Sequence, residues 1–537
     1  MRNAELFVAA LLTFEAIVLR IVAATSAGPL WRDEANTVGV ATLPTVREVW
    51  QNLNFDSFPV FWILIVRGLS ELAGPANDPA FRLLGLAIGV AIVAALWFYA
   101  RSLHYSLPLA SLALLALTPS LIVWGDSMRG YGFGIFVTIV FAALLWRFVE
   151  VPTAARFGLA LILGILSVHV LYYNAVSLFA FAVAAGTVAA LKRAWKTLAL
   201  VALIGILAVL SLLPYAETIR KAGDWVALVR MQEYTFLYFL SRLYLTLLPG
   251  GPWSFVVWIE LFLLAIIVTA RGITRSRKLE HTERQIHVAT FSLVALVVGS
   301  AGVFIFLKTL SYFTQPWYYL TLLALVGVCI DSISGSMIRG NVARTARLLG
   351  AMLLGVITFI PALHASQIRM TNLDLVARST QELASRNDLI VLNAWYNGVT
   401  WNRYYNGATP WMTIPPLKFY RWQRPDMVKE HMTEADQMVP VQPIDSAIGR
   451  TLRAGNRVFI VGYLPTTPPG KKPIVMPAAP MPGNQWPSAI YTHQWGAAVS
   501  YFLQRHAVTV TLIPVNAPHG VSEFEDLSLR VVSGWKP

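Results

Sequence analysis

The chain has 537 residues, of which 56% are hydrophobic and only 13% are charged. Soluble globular proteins carry about 25% charged residues, so this composition excludes a protein whose whole surface faces water. The formal net charge of +14 fits Lys and Arg at the cytoplasmic ends of membrane spans, and this disfavours nucleic-acid binding. The single cysteine, Cys329, excludes an intrachain disulfide and a cysteine-based metal cluster.

Apolar stretches of about twenty residues recur along the first two thirds of the chain, each long enough to cross a hydrocarbon core of about 30 Å. Such stretches must satisfy their own backbone hydrogen bonds, so they are predicted to be helices, and their continuous apolar character excludes a membrane barrel. The first stretch is too long for a signal peptide and carries Glu15 and Arg20, so it is interpreted as a retained span. The twelve candidate spans are 5–25, 58–74, 82–101, 105–124, 131–149, 156–171, 173–191, 197–215, 253–271, 286–307, 318–334 and 346–366.

The charges of the connecting segments predict which ends of the spans share a side of the membrane. The connections 192–196, 271–284 and 339–347 are basic and are therefore placed in the cytoplasm. The other long connections are neutral or mildly acidic and are predicted to face outward. They are 26–57, 216–252 and 309–317.

Counting spans from the two ends gives opposite sides for the residues after 366, so one of the twelve candidates is not a simple span. The region 58–125 is the weakest because four prolines interrupt it. We expect 11 or 13 true spans in residues 1–366. The prolines are Pro59, Pro79, Pro108 and Pro119.

Residues 367–537 have a different character, because they contain no apolar run of span length. Helix-like and strand-like patterns alternate, which predicts a soluble α/β domain on the outer face. An amphipathic helix is predicted at 373–385, and 464–487 is a proline-rich loop or linker. Strands are predicted at 388–392, 457–463, 508–515 and 527–532.

A pair of adjacent acids, Asp33 and Glu34, directly follows the first span and is placed at the outer membrane interface. Two carboxylates there are costly unless they are solvated or used. A positioned carboxylate can take a proton from an acceptor hydroxyl as that hydroxyl attacks. The alternative is that Trp31 anchors at the headgroup level and the acids are only hydrated.

Further polar residues lie at the ends of later apolar segments. Asp56 opens one segment, Arg82 follows Asn77-Asp78-Pro79, and Asp126, Arg129 and Tyr131 lie between two segments. Together with Asp33 they form a set of polar groups at span ends.

These motifs resemble the GT-C glycosyltransferases, in particular the bacterial relatives of dolichyl-phosphate-mannose protein mannosyltransferases and of lipid A aminoarabinose transferases. The resemblance covers residues 1–190 by motif and the rest by architecture. The elements that carry it are Asp33-Glu34 in the first outer loop, Asp56-Ser57-Phe58-Pro59, Arg82-Leu83 and Arg129-Gly130-Tyr131.

The resemblance implies a helical bundle with an active site at the outer face, followed by an outer soluble domain. It implies a polyprenyl-phosphate sugar donor and inverting transfer. Asp33 would be the catalytic carboxylate and Glu34 would assist it, while Arg82 and Arg129 would hold the donor phosphate. Candidate substrate-binding residues are Asp56, Asp126 and Tyr131.

One element departs from the family pattern, because Ser57-Phe58-Pro59 stands where His-Pro-Pro is usual. The nine histidines show no metal-ligand spacing, so no metal site is assigned. A divalent metal cofactor stays possible but has no support from ligand spacing.

Physical chemistry supports arginines in such a site, because a departing lipid phosphate develops negative charge that needs cations nearby. The arginine fork donates two parallel hydrogen bonds to a phosphate. The alternative for each is an arginine that snorkels at a span end.

The outward segment around 309–317 adds weaker candidates. Lys308 is a candidate for the phosphate, and Tyr312 and Gln315 are candidates for the substrate. The alternative is that the aromatic residues Trp317, Tyr318 and Tyr319 form an ordinary interfacial belt.

The sequence therefore favours a glycosyltransferase of the inner, cytoplasmic membrane that moves a sugar from a polyprenyl phosphate to an acceptor hydroxyl on the outer side. The acceptor is a lipid, a glycan or a protein, and membrane lipids surround the bundle. The first alternative is a transporter or flippase for a similar lipid, which disagrees with the lack of an internal repeat. The second is a non-catalytic scaffold, which needs no paired acids.

Overall fold

The computed structural model describes residues 2–104, 107–223, 233–274, 282–338, 340–468, 470–479 and 487–537. Five of the predicted segments fall partly on the other residues. These are the start of the candidate span 105–124, the first residue of the basic connection 339–347, the middle of the outer segment 216–252, much of the basic connection 271–284 and parts of the proline-rich stretch 464–487.

Residues 2–366 form a bundle of helices. Nine of the helices in the described ranges are long and apolar enough to cross a membrane, and Ala154–Val170 is a shorter apolar helix. The helices are α1 (Arg2–Ser26), α2 (Arg32–Ala41), α3 (Val46–Gln51), α4 (Val60–Ala73), α5 (Asp78–Leu103), α6 (Leu109–Ser111), α7 (Pro119–Gly125), α8 (Gly130–Glu150), α9 (Ala154–Val170), α10 (Asn174–Leu191), α11 (Trp195–Leu210), α12 (Ala216–Lys221), α13 (Phe236–Leu247), α14 (Trp253–Thr274), α15 (Glu283–Leu310), α16 (Leu320–Met337) and α17 (Asn341–Ser366).

Three of the twelve candidate spans do not form a helix long enough to be counted among these nine. Segment 58–74 forms the 14-residue helix α4, and segment 156–171 forms the 17-residue helix α9. Segment 105–124 is broken into α6, a π-helical turn at Leu112–Ala116 and α7. The break fits Pro119, which occupies the first turn of α7 and cannot continue a helix from the preceding residues. The total of 11 or 13 spans stays a prediction.

The basic connections meet at one end of the bundle. Arg344 at the start of α17 binds Glu5 near the start of α1, with Nη2 and Oε2 2.6 Å apart. Arg284 binds Glu150 at the end of α8, also at 2.6 Å. The other end of α1 leads into segment 26–57, so this segment starts at the opposite end of α1 from Glu5 and Arg344. The side of the membrane that each end faces stays a prediction.

Residues 367–537 form a domain around a five-stranded sheet with the order β2-β1-β3-β5-β4. Strand β1 pairs in parallel with β2 and β3, whereas β5 pairs antiparallel with β3 and β4. The strands are β1 (Leu389–Leu392), β2 (Trp411–Thr413), β3 (Val458–Val461), β4 (Ala507–Ile513) and β5 (Leu529–Trp535). The helices are α18 (Leu373–Leu383), α19 (Asn397–Tyr404), α20 (Pro425–Thr433), α21 (Gln442–Arg453) and α22 (Ser488–His506).

The central strands β1 and β3 are covered on both faces, because all four residues of each are buried, whereas the edge strand β4 is mostly exposed. Ile390 and Leu392 of β1 belong to a core with α18 and α19, while Leu389 and Val391 belong to a second core with α21 and α22. Such continuously apolar strands are typical of parallel sheets. The α/β character predicted from the sequence is confirmed.

Candidate functional site

The two adjacent acids lie in the first turn of α2, the short helix that follows the first long helix. The backbone N–H of Trp31 donates to Oε2 of Glu34, three residues later, at 3.2 Å. Acids in this position satisfy free N–H groups and complement the positive end of the helix dipole. The local sequence therefore places both acids in the first turn of α2, and the helical geometry directs their side chains to different sides.

Glu34 is completely enclosed, with a side chain that is 0% exposed. Its Oε1 accepts hydrogen bonds from Arg82 Nη1 and from the backbone N–H of Met128, both at 2.7 Å. The same arginine donates from Nε to the carbonyl oxygen of Gly28 at 2.9 Å and from Nη2 to that of Pro29 at 2.6 Å. The structure thus places Arg82 on Glu34 and on the backbone that leads into α2.

Asp33 has a more open environment, with a side chain that is 20% exposed. Its Oδ1 accepts a hydrogen bond from Gln423 Nε2 at 3.1 Å, and Arg32 Nε lies 3.4 Å away. None of the residues in the described ranges donates a hydrogen bond to Oδ2. One oxygen of this carboxylate is therefore held while the other keeps its lone pairs for another group.

Arg129 lies beside Asp33, directly before α8. Its Nη1 donates to the carbonyl oxygen of Asp33 and to Oγ1 of Thr37, both at 2.8 Å, and lies 3.6 Å from Asp56 Oδ2. The guanidinium also stacks 4.6 Å from the centre of the Phe58 ring. No residue that the structure describes accepts a hydrogen bond from its Nε or Nη2, so this side of the fork stays available.

Asp56 holds this arrangement together. Its Oδ2 accepts from Thr37 Oγ1 at 2.7 Å and from Asn36 Nδ2 at 3.1 Å, and its Oδ1 accepts from the N–H of Phe58 at 3.2 Å. Burial lowers the pKa of Arg129, but the charges of Asp56 and Asp33 outweigh it and hold that pKa above its usual range. The cation is therefore permanent.

The predicted residues Tyr131 and Tyr312 meet in a cluster of tyrosine rings. Tyr312 lies 5.4 Å from Tyr318, which lies 6.3 Å from Tyr173, and Tyr173 lies 6.4 Å from Tyr131, between ring centres. The centre of the Tyr131 ring lies 5.0 Å from that of Phe58, on which the Arg129 guanidinium stacks, so the cluster borders the Arg129 side of the site. Segments far apart in the sequence thus converge at one place.

The interfacial-belt alternative is wrong for two of its three aromatic residues, because Trp317 is 5% exposed and Tyr319 is completely buried. Trp317 instead contacts Trp31, Trp124 and Phe524, with ring centres 5.6, 4.7 and 5.2 Å away. This aromatic cluster joins the end of the bundle that carries Asp33 to the C-terminal domain.

The last outer segment also brings in a cation that the sequence analysis missed. Gln315 Oε1 accepts from Nη2 of Arg242 at 3.4 Å, and this guanidinium stacks 4.6 Å from the Phe313 ring. Its Nε is buried without a partner. Lys308, by contrast, is exposed in the last turn of α15. Arg242 gave no sequence signal because α13 resembles any amphipathic helix with one arginine.

Asp126 is turned away from Arg129. Its Oδ2 lies 3.4 Å from Nε of Arg20, and both side chains are buried. Gly89 of α5 makes room for this pair, because a Cβ there would lie 2.5 Å from the Asp126 carboxylate. The structure therefore pairs Asp126 with the first helix, and its predicted substrate role stays a prediction.

The C-terminal domain is docked on the same end of the bundle by several polar contacts. Tyr404 donates to Oδ2 of Asp78 at 2.6 Å and accepts from the N–H of Leu30 at 2.7 Å. Glu525 is completely buried and accepts from the N–H of Arg32 at 3.2 Å. Burial raises the pKa of Glu525 to about 7.

Two further features concern whether the described residues could hold a metal ion or an apolar ligand. Within the described parts of the chain, no group of three His, Cys, Asp or Glu side chains is arranged to hold a metal ion. Between α10 and α11 lies an apolar cavity of about 730 Å³, which runs from Ala175 and Val209 near the tyrosine cluster to Ala190 and Leu198.

No protein-family model and no curated protein matches the chain. Solved structures do match it. ArnT from Cupriavidus metallidurans, bound to undecaprenyl phosphate, has a TM-score of 0.50 and 12% identity over 84% of this chain and 92% of that one. The oligosaccharyltransferase of Archaeoglobus fulgidus has a TM-score of 0.52 in the apo form, with 12% identity over 86% of this chain and 69% of that one. Its complex with Zn and sulfate has a TM-score of 0.50 and the same identity over 84% and 67%.

These neighbours are GT-C glycosyltransferases, so the resemblance suggested by the sequence motifs is confirmed at the level of the fold. Identity this low concerns the fold alone, and the roles of individual residues rest on the geometry described above.

Proposed function

We propose that this protein is a membrane glycosyltransferase that moves a sugar from a polyprenyl-phosphate donor to an acceptor hydroxyl, with Asp33 as the catalytic base. The observation that carries the proposal is that Asp33, whose carboxylate has one oxygen without a donor among the described residues, binds the Arg129 guanidinium through its backbone carbonyl oxygen. A base and a permanent cation at close range are what this reaction needs.

The proposed chemistry is one displacement. Asp33 Oδ2 takes the proton of the acceptor hydroxyl as its oxygen attacks the anomeric carbon of the sugar. The bond between that carbon and the phosphate oxygen breaks, and the electron pair leaves with the polyprenyl phosphate. Attack opposite to the leaving group inverts the anomeric centre.

Arg129 compensates the charge that develops on the departing phosphate. Its Nε and Nη2 offer the paired donors that match two phosphate oxygens, while Nη1 stays on the Asp33 backbone and Thr37. Arg242, Lys308 and Gln315 are proposed to line the approach of the phosphate or sugar. Arg82 is proposed to position the segment before α2, since Glu34 and two carbonyl oxygens take up three of its donors.

The apolar cavity between α10 and α11 is the proposed place for part of the donor's hydrocarbon chain, because it opens near the tyrosine cluster. The clustering of basic connections at the opposite end of the bundle supports an orientation with the site and the C-terminal domain outside the cytoplasmic membrane.

A flippase is the second candidate, because it would use the same arginines to hold a lipid phosphate. The docked C-terminal domain favours the transferase, since that domain binds the open carboxylate through Gln423. A flippase needs no such contact on an acid at one end of its path.

The test uses the purified full chain in vesicles with polyprenyl phosphates that carry different radiolabelled sugars and a membrane extract as the source of acceptor. Asp33→Asn is expected to lower transfer by about 10²- to 10⁴-fold, the usual contribution of a positioned base. Glu71→Gln, which changes an acid with a 61% exposed side chain, is the matched control and should keep wild-type transfer. Unchanged transfer by Asp33→Asn would contradict the proposal.

A further inference from the structure

The C-terminal domain reaches the site through one loop, residues 414–424, which connects β2 to α20. Arg421 Nη2 donates to the carbonyl oxygen of Thr42 at 2.7 Å, and the loop backbone lies close against α2. A Cβ on Gly39 would lie 2.3 Å from the Arg421 carbonyl oxygen, so only glycine permits this approach. The loop therefore has a defined position on α2, the helix that carries Asp33.

Aromatic packing holds the loop in that position. Trp422 is 8% exposed and lies 4.4 Å from Phe419 and 6.4 Å from Phe55 of the outer segment, between ring centres. The guanidinium of Arg424 lies 5.1 Å from the centre of the Phe55 ring. The loop is thus anchored on both sides of Gln423.

Gln423 makes two contacts with the site and is itself 6% exposed. Its backbone N–H donates to Oδ1 of Asn36 at 2.7 Å, and its side-chain Nε2 donates to Oδ1 of Asp33 at 3.1 Å. A carboxylate oxygen can only accept, so the amide nitrogen is the atom that faces it. Asn36 in turn donates to Asp56, which lies beside Arg129.

We propose that Gln423 is a positioning residue for transfer, which holds Oδ1 of Asp33 so that Oδ2 faces the acceptor hydroxyl, and that the C-terminal domain thereby completes the active site of the bundle. This inference rests on the proposed function. Arg32 also lies 3.4 Å from Oδ1 of Asp33, but its guanidinium is 4.4 Å from the centre of the Tyr396 ring as well. Arg129 binds the backbone carbonyl oxygen of Asp33 and the hydroxyl of Thr37. The amide is the neutral donor that fixes the rotation of the carboxyl group.

The test compares three variants of the full chain in the transfer assay described above. Gln423→Leu removes the donor and keeps a similar volume, whereas Gln423→Glu keeps the shape and replaces the donor with an acceptor. Both keep the backbone bond to Asn36. Arg421→Ala is the matched control, because it removes a docking contact of the same loop without touching Asp33.

Loss of one hydrogen bond to a charged group is expected to lower kcat by about 10- to 100-fold in both Gln423 variants. The KM for the donor should stay within about twofold, since Gln423 contacts Asp33 and not the phosphate, and the apparent unfolding temperature should match the wild type. Arg421→Ala should keep a kcat within about threefold of the wild type.

A Gln423→Leu variant with at least half of the wild-type kcat would overturn the inference. An equal loss in Arg421→Ala would also overturn it, because loop docking rather than the amide contact would then set the rate. Failure of the proposed function is recognised separately, since wild type and Asp33→Asn would then transfer equally.

Discussion

The two sides of α2 hold their carboxylates in different environments, because the Glu34 side chain is 0% exposed and that of Asp33 is 20% exposed. On the bundle side Glu34 is sealed and paired with Arg82, and both of its oxygens accept hydrogen bonds. On the side of the C-terminal domain Asp33 binds Gln423 through one oxygen, and its other oxygen has no donor among the described residues. Successive helical residues point about 100° apart, so little more than a quarter of a turn separates the enclosed acid from the open one.

The bundle side is expected to give the largest effect on stability. Arg82→Met leaves Glu34 buried without its cation, which is expected to lower the free energy of unfolding by about 3–5 kcal/mol. Thermal unfolding in detergent measures the loss. The double variant Arg82→Met/Glu34→Gln should recover part of it, because no lone charge then stays buried. If Arg82→Met unfolds like the wild type but binds the donor weakly, Arg82 is the phosphate ligand that the sequence predicts.

A substitution on the Asp33 side of α2 is expected to lower the rate of transfer rather than the stability of the fold. Arg129→Lys keeps a positive charge but loses the fork, and transfer is expected to fall by about 10²-fold, a typical loss for one charge-stabilising group. Initial rates at saturating donor measure this effect. Arg147→Lys, at the other end of α8, is the control. A rate within threefold of wild type in Arg129→Lys would contradict direct contact with the phosphate.

The contact between bundle and domain is expected to depend on pH through Glu525. Because burial raises its pKa to about 7, the folded protein keeps the proton that the unfolded chain loses near its ordinary pKa. Stability is therefore highest below that ordinary pKa and falls as pH rises to about 7, by about 3 kcal/mol at most. The unfolding temperature at pH 5 and pH 8 measures the slope, and Glu525→Gln should flatten it. If the pH dependence persists in that variant, another titrating group causes it.

Much of this contrast was within reach of the sequence. Length and polarity predict the helices, and the four prolines mark 58–125, which contains the break before α7, as the weakest region. The motifs single out Asp33 and Arg129, which the structure brings into contact, and their roles stay a prediction. The sequence does not reveal which acid each arginine binds, since Arg82 and Arg129 follow similar apolar runs.

Other features had no local signal. Gln423 is separated from Asp33 by 390 residues and looks like any loop amide. Strand β2 was missed because it has only three residues and is followed by two prolines. Asp126 was grouped with the site by its position at a helix end, but its direction depends on the space that Gly89 leaves for it.

The contact between Arg32 and Glu525 also sets an order of events during synthesis. The two residues are 493 positions apart, so the ribosome releases the first long before it makes the second. The bundle can insert and pack while the end that carries Asp33 still lacks the C-terminal domain that docks on it. In a nascent chain Asp33 therefore lacks its contact with Gln423 until the C-terminal domain has been made.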